Sequence, residues 1–230
     1  MIEFLNNSLF FGLLLSLATY ALGCFLKSKL KTDLVNPLII SVILVIVFIV
    51  VTGMDFESYK QQSSLLSYML TPVTVCLAVP LYKQLNALKQ NLWAVCIGIT
   101  VGVITALTSV LLLSLAFGVS HELYVTLLPK SITTAIGMGV SEELGGITEI
   151  TVAVIVITGV IGAAIGRPIM KLFRITEPVA VGLALGTASH AVGTSKAIEI
   201  GETEGAMSGL AIVVAGILTV ILAPFFAMII

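Results

Sequence analysis

The sequence predicts an all-α integral membrane protein. Three observations carry that prediction: the composition, the length of the apolar runs, and two polar segments set between such runs. Of 230 residues, 58% are hydrophobic and only 10% charged, and mean hydropathy is +1.17. A soluble domain carries roughly 25% charged residues. A helix needs about 20 predominantly apolar residues to cross the hydrocarbon of a bilayer. Six stretches qualify: 8–26, 37–53, 63–82, 91–117, 148–166 and 206–228. Two more, 124–145 and 179–200, are long enough but hold charges, glycines and hydroxyls. The expected architecture is therefore about six full transmembrane helices plus two re-entrant or broken helical segments.

The chain divides accordingly into a two-span segment (1–62), two further spans (63–123), and two units that each join a polar segment to a span (124–178 and 179–230). At the start, "MIEFLNNSLFFGLLLSLATYALG" is apolar but has Glu3 and no Lys or Arg ahead of the run. A secretory leader needs a basic n-region, so this reads as a first span. The cysteines Cys24, Cys76 and Cys96 all lie in apolar runs and read as small buried hydrophobes rather than a disulfide set. A net charge of −1 without a basic run argues against a nucleic-acid partner.

Charge decides how the two polar segments run. Cytoplasmic loops are enriched in Lys and Arg, and the basic loops are Lys27/Lys29/Lys31, Lys83/Lys89 and Arg167/Lys171/Arg174, whereas Asp55/Glu57 and Ser120/His121/Glu122 are acidic or neutral. With the N-terminus outside, all three basic loops fall inside only if 124–145 enters and returns on the outer side. Segment 179–200 is then a second dip, from the inside. Broken helices that do cross remain the alternative, because interior packing can override a loop-charge bias.

An internal comparison pairs the two dips. Moving 133 onto 189, a shift of 56 residues, lays "TTAIGMGVSEELG" over "SHAVGTSKAIEIG". Ala135 then matches Ala191, Gly137 matches Gly193, Glu143 matches Glu199, Gly145 matches Gly201, and further on Pro168 matches Pro224. A unit with one net crossing must be inverted relative to its copy, and inverted repeats with broken polar elements characterise secondary transporters.

Irregular backbone at membrane depth survives only where protein buries it or a wet cavity receives it. Ionisable groups there are functional candidates by default. The first dip offers Lys130, Ser131, Thr133 and Thr134, and the second Ser189, His190, Thr194, Ser195 and Lys196, with Thr187 nearby. Ammonium groups, hydroxyls and the free N–H groups of half-helix ends suit a carboxylate. His190 suits proton exchange, with the repeated pair Glu143/Glu199 next in line for coupling. Each piece also has a structural reading: hydroxyls bond back to their own helix, and Lys130 and Lys196 can snorkel to opposite interfaces. No nucleophile–base pair or metal cluster stands out, so no enzyme, cofactor or metal is expected.

"LLPKSITTAIGMGVSEELGGI" and "ALGTASHAVGTSKAIEIGETEGAMSGLA", with "LAVPLYKQL" before them, strongly resemble the signatures of the LrgB/CidB family, over essentially the whole chain. The resemblance implies a multi-pass protein of the bacterial inner membrane, encoded beside a small holin-like LrgA/CidA-type membrane partner. Family members were named antiholin-like for effects on murein hydrolase activity and autolysis. Bacterial relatives are linked to pyruvate uptake, and a chloroplast relative exchanges glycolate and glycerate. Ala135 and Gly139 stand where the family pattern has a proline and a larger or charged residue, which bears on the shape of the first dip. Two functions therefore compete: a carrier of small monocarboxylates (pyruvate, lactate, glycolate), and a holin-system regulator acting with its partner. A homo-oligomer in the lipid bilayer is expected in either case.

Overall fold

The computed structural model describes residues 2–30, 37–76 and 78–230. Among them every regular element is a helix, and the chain forms two compact units, 1–76 and 77–230. Lys31 of the first basic loop lies outside the described residues.

The first unit holds α1 (Ile2–Asn7), α2 (Phe11–Leu30), α3 (Pro37–Thr52), α4 (Phe56–Gln62) and α5 (Ser64–Cys76). Small and hydroxyl side chains let α2 and α3 approach. The Thr19 and Ser41 hydroxyls are 2.8 Å apart, and a Cβ on Gly23 would stand 2.6 Å from the Pro37 carbonyl oxygen. Gln62 ties three segments together. Its amide accepts from the Gly12 N–H at 2.9 Å and donates to the carbonyls of Leu5 and Asn6 at 2.8 and 3.1 Å. A buried amide satisfied on both sides in this way stabilises rather than penalises the unit.

The second unit holds α6 (Ala78–Lys83), α7 (Leu85–Gln90), α8 (Leu92–Phe117), α9 (His121–Leu127), α10 (Thr134–Glu143), α11 (Thr148–Leu172), α12 (Pro178–Ile200) and α13 (Glu202–Ala227). Among the described residues four helices are long and apolar enough to cross a bilayer: α2, α8, α11 and α13. Of the other two expected crossings, α3 has 16 residues, about 24 Å at 1.5 Å per residue. The described residues of 63–82 fall in α5 and α6, on either side of Leu77, which lies outside the described residues.

In the second unit the helix ends sort into two sets. Gly118, left-handed at φ 62°, stops α8, as glycine does at many helix ends. Next, α9 starts beside the end of α13, where His121 Nδ1 lies 2.6 Å from the Ile230 carbonyl and the Tyr124 hydroxyl donates to the Phe226 carbonyl at 2.8 Å. Thr126 of α9 in turn accepts from Ile147 N–H at 2.8 Å, and its carbonyl takes the Thr151 hydroxyl at 3.0 Å. The ends of α8 and α13 and the starts of α9 and α11 therefore share one end of the unit. The chain from α9 to α10 leaves that end and comes back to it. At the opposite end, a Cβ on Gly182 would meet Met207 Cβ at 2.9 Å, and one on Gly205 would meet Ile198 at 2.8 Å. Both ends of α12 thus lie beside the start of α13.

The cysteines correct the sequence reading. All three are free and exposed on the chain. A membrane helix can turn apolar side chains outward to lipid as readily as inward, so an apolar run does not imply burial here.

Candidate functional site

Two hairpins of the second unit line one small cavity. In the first, Pro129 follows the last turn of α9; it lacks the N–H that would continue the helix. The chain then turns through Lys130–Ile132, and Thr133, extended at φ −63° and ψ 143°, opens α10. The second hairpin is α12 itself, interrupted at Ser189 (φ −134°, ψ 16°) and His190 (φ 41°, ψ −135°). The arm 191–200 runs back against the arm 178–188, because Gly193 lies on the Leu185 carbonyl oxygen with no room for a Cβ. A positive φ at a non-glycine residue with that ψ is strained backbone, of the kind found at sites that the surrounding fold over-determines.

Glycines on α11 receive this second tip. A Cβ on Gly162 would overlap the Ser189 hydroxyl, and one on Gly159 would stand 2.6 Å from His190 Nε2. The His190 ring is buried and its Nε2 lies 2.9 Å from the Ile155 carbonyl. Ile155 serves the first hairpin as well, since its side chain fills the space beside Gly137. Ile155 of α11 therefore touches both hairpins.

Between the tips lies a cavity of about 10 Å³, near the least volume that holds a single water. Three hydroxyls line it: Ser131 from the first hairpin, Thr187 from the second and Thr219 from α13. Lys130 Nζ donates to Ser131 Oγ at 3.0 Å, and among the described residues no carboxylate pairs with it. Thr187 is the one buried side chain among them whose polar atom has no hydrogen-bond partner. Its methyl lodges against α8, where a Cβ on Gly102 would meet Cγ2 at 2.7 Å.

The sequence profile of the LrgB-like family matches residues 16–229. The chain belongs to that family. It is 39% identical over 218 residues to the "Antiholin-like protein LrgB" of Bacillus mycoides, covering 94% of this chain and 95% of that protein. The proteins of the same description from Bacillus cereus and Bacillus anthracis match to the same extent. No solved structure matches the chain.

Within this LrgB-like fold the sequence-predicted residues divide into groups. Ser131 lines the cavity and Lys130, beside the lining, donates to it, while Ser189 and His190 form the second tip against α11. Thr133 and Thr134 begin α10 half-buried. The Thr194 hydroxyl is 2.7 Å from that of Ser208 and bonds back to the His190 carbonyl at 3.1 Å, a packing role. Ser195 is exposed. Lys196 is paired with Glu199 at 3.0 Å, and Glu143 is exposed at the end of α10. Neither glutamate lines the cavity. Thr219 lines the cavity and carries no signal in the sequence. Thr187 has a sequence signal, its place in the tip, but only the fold shows its hydroxyl unpartnered.

Proposed function

We propose that this LrgB-like protein is a multi-pass carrier of the bacterial cell membrane that moves small monocarboxylates of the pyruvate, lactate and glycolate class by alternating access. The observation that carries the reading is Lys130: an ammonium group at a hairpin tip that donates to one neutral hydroxyl and, among the described residues, meets no carboxylate. A cation in that setting is costly unless an anion joins it, and a carboxylate offers both the charge and the acceptors. The cavity is too small for such a ligand as it stands, so binding requires the tips to part. That motion is the one alternating access needs.

Residue pairings support the inverted repeat and the two units 124–178 and 179–230. A Cβ on Gly137 would stand 3.4 Å from the Pro129 carbonyl oxygen, and one on Gly193 would overlap that of Leu185; both partners obey the same shift of 56. A Cβ on Gly216 of α13 would stand 3.0 Å from Ile136 of the first hairpin, and one on Gly159 of α11 would stand 3.1 Å from its repeat mate Val192. Each hairpin thus touches the other unit's span as well as its own. In this reading α3 and the 63–82 stretch complete six crossings, and Arg167, Lys171 and Arg174 face the cytoplasm. The binding set is Lys130, Ser131, Thr133, Thr134, Ser189 and His190; Thr194, Ser195 and Lys196, which bond to their neighbours or face outward here, join it only when the hairpins part. His190 couples proton to anion, with Glu143 and Glu199 as the alternatives.

Uptake of labelled pyruvate, lactate and glycolate into proteoliposomes, with and without an LrgA/CidA-type partner, tests the proposal. Saturable uptake by the protein alone is the expected result; none under either condition would remove the carrier reading. A second reading rests on the relatives' name: an antiholin-like regulator of murein hydrolase activity that oligomerises with a holin-like partner. It predicts a stable complex with that partner and no transport.

A further inference from the structure

We infer that Thr187 is the specificity-determining residue of the cavity: its hydroxyl reads the oxygen on the carbon next to the ligand's carboxylate, while Lys130 and Ser131 hold the carboxylate itself. The assignment rests on the carrier reading above and goes beyond it by naming what the second hairpin contributes. Threonines in membrane helices ordinarily turn their hydroxyl back to the carbonyl one turn earlier, and four in this unit do so. Thr100 bonds to the Cys96 carbonyl at 2.8 Å. Thr126 bonds to the Glu122 carbonyl at 2.6 Å, Thr151 to that of Ile147 at 3.2 Å, and Thr194 to that of His190 at 3.1 Å. Thr187 does not. It is 7% exposed and its Oγ1 has no partner.

The reason is steric. Gly102 of α8 takes the methyl of Thr187, and Thr187 lines the same cavity as Ser131 of the first hairpin. Leaving a buried hydroxyl unmade is a standing cost, removed when something polar enters. The entering group sits beside a carboxylate held at Lys130, through Ser131, 3.0 Å from the ammonium nitrogen. In a 2-oxo or 2-hydroxy acid the second oxygen is bonded to the adjacent carbon, so it lies within one small molecule's reach of both hairpins. A hydroxyl can donate to an oxo group and accept from a hydroxy group, so Thr187 admits both. It rejects acids with neither, because they would keep it unpaired.

The experiment compares the parent with Thr187→Val, which keeps the shape and drops the hydroxyl, and with Thr187→Ser, which keeps the hydroxyl. Lactate and propanoate, identical but for the 2-oxygen, compete against labelled pyruvate in proteoliposomes, and thermal unfolding of the purified protein is measured with each acid and without. In the parent and the serine variant lactate should compete on the order of tenfold better than propanoate. In Thr187→Val that preference should fall to about one, with propanoate unchanged, and the protein without ligand should melt no lower than the parent. A lower melting point without ligand would reveal a structural bond to the hydroxyl and overturn the assignment. So would a valine variant that still prefers lactate. If the parent neither transports nor is stabilised by any monocarboxylate, the carrier reading fails and this assignment falls with it.

Discussion

The backbone of His190 offers the most discriminating measurement. Its φ of 41° and ψ of −135° lie where glycine is at ease and a residue with a Cβ is strained by about 1–3 kcal/mol. Replacing the imidazole also removes its hydrogen bond to the Ile155 carbonyl, a contribution of about 1 kcal/mol, and leaves a void worth more. Two variants share those losses and differ only in strain: His190→Ala keeps the Cβ, and His190→Gly does not. Glycine loses about 0.5–1 kcal/mol relative to alanine through the freedom of its unfolded chain. The glycine variant should therefore be the more stable by up to about 2 kcal/mol, the strain less that entropy. Thermal unfolding of both in detergent reads the difference as a few degrees. If alanine melts as high as glycine or higher, the tip is not strained and its shape is not imposed by the packing of α11 against it. Transport then separates structure from chemistry. With the turn relaxed, loss of uptake in His190→Gly assigns the imidazole a working role. For the proton-coupling proposal, His190→Gln should lose the pH dependence of uptake between about pH 5 and 8, and a parent-like profile would move the coupling elsewhere.

Gly162→Ala should destabilise the protein by about 1–3 kcal/mol, since its Cβ overlaps the Ser189 hydroxyl. Adding Ser189→Gly should recover most of that loss, and strictly additive effects in the double-mutant cycle would show that the two do not touch. Thr126→Val should cost about 1–3 kcal/mol by leaving the Ile147 N–H without its acceptor; an unchanged melting point would mean that the mouth of the first hairpin is not latched there. Lys130→Met should fold at least as well as the parent yet abolish uptake, and retained uptake would place the anion elsewhere. Single cysteines at 173 and 230, in a version without the native ones, should label from opposite sides of the membrane. Labelling from one side alone would refute the inverted arrangement.

Much of this protein is legible in its sequence. The apolar runs mark it as a membrane chain, because apolar surface of that length has no other stable solvent. The shift of 56 residues pairs the two polar segments in the sequence, and it also relates Pro129 and Leu185, whose carbonyls lie nearest Gly137 and Gly193 among backbone atoms. The family signatures are local in sequence, so they too can be read without a fold. What tertiary structure alone decides is which polar groups are already satisfied. Thr194 and Thr187 look alike in the sequence. One meets Ser208 across a helix interface and the other meets Gly102 with its methyl and nothing with its hydroxyl. Likewise Lys196 finds Glu199 a turn away on its own helix, while Lys130, at a tip, bonds to the neutral hydroxyl of Ser131. The cysteines face outward for the same reason that the sequence could not place them: in a bilayer both faces of a helix can be apolar. Composition sets what a segment can tolerate, but satisfaction of a hydrogen bond depends on neighbours from distant parts of the chain. Only the packed fold supplies those.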